Sequence, residues 1–87
     1  MIFITSRYAM EDKIKQTMAA VFSIDVSEIS DNASPEIIEN WDSLRHMNLL
    51  VALEEEFKIE FTDNEIVAVI NFLSLKTIIN DKISQAS

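Results

Sequence analysis

A chain of 87 residues without a single glycine has few ways to turn tightly. Left-handed backbone positions are open to glycine at almost no cost and to other residues only at a penalty. Here such positions must fall on Asn or Asp, or be avoided. Hairpin-rich β folds and glycine loops that cradle phosphates are both disfavoured. Helices joined by polar loops are what remains. Pro35 is the only proline, and 48% of the residues are hydrophobic, enough for a compact core in one domain spanning 1–87. There is no cysteine, hence no disulfide and no thiolate metal site.

Periodicity predicts where those helices lie. Met10, Ile14, Met18 and Val21, with Phe22 beside them, form one apolar stripe from Met10 to Phe22. From Ser23 to Asn40 the pattern dissolves into Ser, Asp and Asn. A loop of about 18 residues is long for so small a domain, and long loops often carry function. Ile24, Val26 and Ile29 are spaced to pin it inward, and Pro35 is placed to open a short turn through Ile37 and Ile38. The second helix runs Ser43 to Phe57 behind Asp42 as N-cap. Its apolar arc of Leu44, Met47, Leu49, Leu50, Val51, Leu53 and Phe57 is wide enough to predict packing against neighbours on two sides. Arg45, Asn48, Ala52, Glu55 and Glu56 fill the opposite arc. Thr62 or Asp63 caps a short third helix holding Ile66, Val69 and Ile70. Ser74 is the expected cap of a fourth helix with Leu75, Ile78, Ile79 and Ile83, ending near Gln85. The expected architecture is all-α: a small four-helix bundle, three main helices and one short, with a long loop after the first. Residues 1–9 read as a loosely held extension, Met10 being a possible second start. They lack the basic region and apolar run of a signal peptide.

Charge and residue type narrow the function. Fifteen acidic residues against seven basic give a net charge of -8. That repels phosphate backbones and so disfavours nucleic acid. No apolar run is long enough for stable membrane insertion. Glu54, Glu55 and Glu56 point about 100° apart on a helix and cannot converge on one metal ion; they read as a solvated acidic face. Ser43 and His46, at i and i+3, invite a hydrolase reading. A Ser–His pair would need an orienting acid, an oxyanion hole and the glycine-flanked elbow, which the sequence does not offer. No catalytic residue is assigned. Ser43 is left as part of a helix start or as a hydroxyl that another enzyme modifies.

The stretch "WDSLRHMNLLVALEEEFKIEF" resembles the acyl carrier protein family around its modification site. The matching pieces are Asp42-Ser43-Leu44, then Leu49 and Leu50, then "ALEEEF" from Ala52 to Phe57. Ile59, Phe61, Asp63 and Glu65 continue the match. The first helix, the loop and the closing "SLKTIINDKI" fit the same layout, so the resemblance covers roughly residues 10–85.

That resemblance implies that Ser43, flanked by Asp42 and Leu44, receives a phosphopantetheine arm from coenzyme A through a separate phosphopantetheinyl transferase. The arm would hold acyl groups as thioesters, and the chain would itself be no enzyme. An anion on Ser43 would sit at a helix N-terminus, which favours negative charge by about 0.3–1 kcal/mol. Leu49, Leu53, Phe61, Ile66 and Ile70 would line a cleft for an acyl chain, although the same five also fit an ordinary core. Arg45, Asn48, Glu55 and Glu56 would meet acyl-transferring or acyl-activating enzymes that present basic patches. The implied molecule is a cytoplasmic, monomeric carrier serving fatty-acid, polyketide or another dedicated biosynthesis. An aminoacyl or D-alanyl carrier, or an unmodified helical interaction module, are the alternatives. Asn40 stands where the family commonly has glycine, and Trp41, Arg45 and His46 depart from fatty-acid carriers. The stretch from Asp63 to Ser74 is longer than theirs. These departures point to a specialised, stand-alone member. Trp41 is expected to pack over the loop.

Overall fold

In the first helix the apolar residues recur at four-residue steps, so one face can be wholly covered. The computed structural model describes the backbone of residues 7–86 and the side chains of residues 10–84. Helix α1 spans Arg7–Phe22 and buries Met10, Ile14, Met18 and Phe22. The expectation for residues 1–6 lies outside the described residues, while residues 7–9 are already helical. Helix α2 spans Ser43–Phe57, α3 Asp63–Ala68 and α4 Phe72–Ala86. No strand occurs among the described residues, and the fold is the expected all-α bundle with one short helix. Leu49, Leu50 and Leu53 of α2 meet Phe72, Leu75 and Ile79 of α4 and the α1 face in a single core.

The long loop is held from several sides. Ile29, Ala33, Ile38 and Trp41 are buried, and the Phe72 N–H donates to the Ala33 carbonyl at 2.9 Å. The turn at Pro35 forms, with the Ile37 and Ile38 N–H groups donating to the Ser34 carbonyl. A 3₁₀ turn over Val26–Glu28, closed by an Asp25/Glu28 capping box, was not anticipated. Of the three residues expected to pin the loop, Ile24 and Ile29 pack inward and Val26 faces out.

Four expectations are corrected. First, the apolar arc of α2 is only partly internal: Leu44, Met47 and Val51 are 70%, 44% and 50% exposed. Spacing alone cannot tell a second buried face from an apolar face left open. Second, Asn71 rather than Ser74 caps α4. The Ser74 N–H donates to Asn71 Oδ1 (2.7 Å) and Ser74 Oγ accepts from the Asn71 N–H (3.1 Å), a reciprocal box with Ser74 inside the first turn. Third, α3 is capped by Thr62 and ends at Ala68, so Val69 and Ile70 lie beyond it. Fourth, left-handed backbone falls on Ser23 and Lys58, both at φ 58°, not on Asn or Asp. Each follows a long helix. The Ile24 N–H reaches the Ala19 carbonyl and the Ile59 N–H the Glu54 carbonyl, both at 3.1 Å, the closing bond of a Schellman turn. The closing hydrogen bonds and the inward-packing Ile24 and Ile59 hold these residues in a conformation that glycine would take freely.

Removing that strain should stabilise the fold. Lys58→Gly is expected to raise the unfolding free energy by about 0.5–1 kcal/mol, glycine's greater unfolded-state entropy offsetting part of the relief. Urea denaturation at constant m-value measures it.

Candidate functional site

The site is built where the loop delivers the chain to the start of α2. Asp42 is extended, at φ -102° and ψ -178°, and its Oδ1 accepts from the Arg45 N–H at 2.8 Å. Its Oδ2 accepts from Arg45 Nη1 at 3.0 Å. Asp42 is therefore the expected N-cap. The Arg45 N–H holds its carboxyl below the ordinary value of 3.8, and the guanidinium charge adds to this against slight dehydration. Ser43 follows as the first helical residue, exposed to solvent. Helix geometry leaves the Ser43 and Leu44 N–H groups without acceptors inside the helix.

Trp41 is buried, its ring 5.2 Å from that of Phe22. Its Nε1–H donates to His46 Nδ1 at 3.0 Å, so the two rings lie edge to edge, 22° from coplanar with centroids 6.2 Å apart. His46 Nε2 lies 3.2 Å from the Ile66 carbonyl. With Nδ1 accepting, the proton belongs on Nε2, which donates to that carbonyl; one neutral tautomer satisfies both bonds. Trp41, expected to pack over the loop, is held between the end of α1 and the start of α2, and His46 is not a spare base beside Ser43 but a bracket between α2 and α3. Asn40 donates from Nδ2 to the Phe22 carbonyl at 2.8 Å and ties the loop's end to the end of α1. Pro35, Trp41, Asp42, Ser43, His46 and Met47 line a groove of about 490 Å³.

The other sequence-selected residues separate. Leu49 and Leu53 are fully buried, Phe61 nearly so and Ile66 partly, whereas Ile70 is 63% exposed and stands outside the interior. The structure gathers the first three in the core and leaves Ile70 at the surface. Asn48 and Glu55 are exposed on α2, and Arg45 is half-buried by its pairing with Asp42. Glu56 is exposed but ion-paired with Lys13 of α1. Glu54, read as part of the solvated face, instead accepts from the Phe61 N–H at 2.9 Å and so fixes the connector after α2. Among the described residues no group of three or more His, Cys, Asp or Glu could hold a metal ion. No helix there is long and apolar enough to cross a membrane.

The sequence and the overall fold are similar to those of known proteins. The acyl carrier protein of Buchnera aphidicola subsp. Schizaphis graminum is 39% identical over 56 residues, covering 64% of this chain and 71% of the relative. The chain belongs to the acyl carrier protein family. The acyl carrier protein of Thermosynechococcus vestitus is 33% identical over 84% of this chain and 90% of its own length. The solution structure of a holo acyl carrier protein from Geobacter metallireducens superposes with a TM-score of 0.78 at 32% identity, covering 87% of each chain. An acyl carrier protein from Enterococcus faecalis, at 21% identity and TM-score 0.69, shares the fold, over 88% of this chain and 98% of its own. No family model matches the sequence. As a member of this family the chain is a carrier and not an enzyme.

Sequence reasoning missed the open stripe of Leu44, Met47 and Val51, which runs along α2 away from Ser43. Its i, i+3, i+7 spacing was visible; its exposure was not, because burial depends on where α3 and α4 lie.

Asp42 gives a pH signature with a definite sign. Its carboxyl titrates lower folded than unfolded, so its support for α2 is full above the unfolded value of 3.8 and lost as pH falls through the lower folded one. The Arg45 amide resonance is expected to shift with a midpoint below 3.8, and Asp42→Asn, which keeps an acceptor, should abolish that titration.

Proposed function

We propose that Ser43 is the attachment point of phosphopantetheine and that the loaded chain delivers acyl groups to partner enzymes of a dedicated biosynthetic pathway. The observation that carries this reading is an exposed serine hydroxyl at the N-terminus of the 15-residue α2, in an Asp-Ser-Leu sequence. The residues present fit a phosphodiester. The Ser43 and Leu44 N–H groups and the helix dipole favour an anion there, and the ion pair with Arg45 offsets the negative charge of the neighbouring Asp42. Asp42 sets the turn that aims Ser43 outward while spending its own charge on Arg45. When attached, the arm supplies the thiol that this cysteine-free chain lacks and on which an acyl group is held as a thioester.

In the transfer reaction Ser43 Oγ would attack the phosphorus of coenzyme A that bears the pantetheine. A new P–O bond forms, the pyrophosphate P–O bond breaks, and adenosine 3′,5′-bisphosphate leaves. The transferase takes the serine proton, so Ser43 needs no base of its own.

Leu44, Met47 and Val51 give such partners an apolar strip next to the attachment point, and Asn48 and Glu55 border it on the same helix. The strip supplies contact and the acidic surface supplies encounter rate toward basic patches. Arg45 and His46 beside the serine favour partners other than those of fatty-acid synthesis. A cytoplasmic location fits this shuttle.

Two outcomes test the reading. Incubation with coenzyme A and a broad-specificity phosphopantetheinyl transferase should add the mass of one phosphopantetheine, and Ser43→Ala should abolish the gain. No gain, or a gain that survives Ser43→Ala, overturns the assignment. Separately, Val51→Lys should lower the transferase's kcat/KM several-fold while changing stability by less than about 0.5 kcal/mol, as expected of a surface position.

A further inference from the structure

The groove beside Ser43 has a chemistry of its own. Its wall residues are Pro35, Trp41, Asp42, Ser43, His46 and Met47, and its volume of about 490 Å³ falls in the range of small-molecule sites. The polar side chains of Trp41, Asp42 and His46 in that wall are already engaged. The Trp41 N–H is spent on His46 Nδ1, His46 Nε2 on the Ile66 carbonyl, and the Asp42 carboxylate on Arg45. What the groove offers a ligand is apolar: the Pro35 ring, the accessible part of Met47 and the small accessible part of Trp41.

Ser43 is itself one of the walls, so anything attached to its Oγ has its first atoms at the groove. The phosphodiester belongs to the helix N-terminus. Directly beyond the next methylene, phosphopantetheine carries a carbon bearing two methyl groups, its bulkiest apolar part. Water solvates that group poorly and the groove has apolar surface to cover it. The alternative path, between α2 and α3, is fastened by the His46–Ile66 hydrogen bond and leads to the fully buried Leu49 and Leu53.

We propose that this groove seats the dimethyl-bearing root of the Ser43-linked arm against Pro35, Trp41 and Met47. The proposal rests on Ser43 being the attachment point, and its test separates the two.

Trp41 is the only tryptophan, which makes it a unique reporter. Isotope-labelled protein carrying an unlabelled arm, with complete modification verified by mass, is examined by isotope-filtered NMR. The expected result is cross-relaxation from the arm's methyl groups to the Trp41 indole and the Met47 methyl, with a shift of the Trp41 Nε1–H resonance between apo and holo forms. Met47→Glu, read on protein modified to completion, should lose the methyl contacts and return the Trp41 resonance toward its apo position. Methyl contacts to Leu49, Leu53 or Ile66 instead, or none in a verified holo protein, overturn the groove assignment and leave Ser43 modification standing. Absence of any mass gain overturns both.

Discussion

The bond from the Trp41 indole to His46 is the interaction on which the placement of the site depends. Trp41 lies at the end of a long loop and His46 one turn into α2, and their side chains meet at 3.0 Å. The indole is 4% exposed, so its N–H has almost no water to turn to. Leaving such a donor unpaired costs about 1–3 kcal/mol. His46 removes that cost and in the same step fixes its own tautomer, which aims Nε2 at the Ile66 carbonyl of α3. One imidazole thus joins the loop, α2 and α3. Phe22, packed on the other side of Trp41, brings in the end of α1. Asn40 secures the same junction through the Phe22 carbonyl. A loop without glycine gains from such ties, since a wandering backbone would not present Ser43 at one fixed spot.

Charge is arranged on the same economy. Lys13, Lys15, Arg45, Lys76 and Lys82 each pair with a carboxylate of this chain: Glu56, Asp31, Asp42, Glu11 and Glu65. Lys15 and Lys76 also lie over the Phe72 ring, at 5.0 and 5.8 Å. Most of the seven basic residues are therefore occupied internally, and the surplus acid shapes the field outside. Several of these pairs are partly exposed and individually weak. Their larger effect is to leave few cations that would blunt attraction to a basic partner. Glu65 shows the structural use of such pairs. Lys82, and then the Thr62 N–H, lower its carboxyl's pKa, so one side chain closes the α3 cap and fastens α3 to α4.

How much of this the sequence made legible depends on the range of the interaction. Local signals were read correctly: the stripe of α1, the bounds of α2 and the Asp42 cap all depend on residues a few positions apart, and of Thr62 and Asp63, left open as caps of α3, the structure selects Thr62. Asn71 and Ser74 are equally local and were still exchanged, because both residue types cap helices and only the direction of the bonds separates them. The left-handed Ser23 and Lys58 were not legible, since nothing in either residue announces the conformation; the hydrogen bonds closing each helix impose it. Long-range facts were hidden altogether. Whether Leu44 is inside or outside depends on where three other helices lie. So does the contact that turned His46 from a candidate base into a bracket.

That exposure joins the two halves of a carrier's task. Helix α2 rises about 1.5 Å per residue, so the strip from Leu44 to Val51 extends roughly 10 Å from the attachment serine along one rigid rod. A partner that covers the strip has the root of the arm at one end of its contact, in a fixed direction. Recognition and delivery are then set by one helix, and flexibility is confined to the arm. A strip on another helix would have transmitted every small shift between helices to the arm's origin. Because Asp42 caps this helix and His46 braces it against α3, its first turn cannot fray without breaking both. The residues that made the sequence unusual around Ser43 are those that stiffen the end of the rod on which the arm would swing.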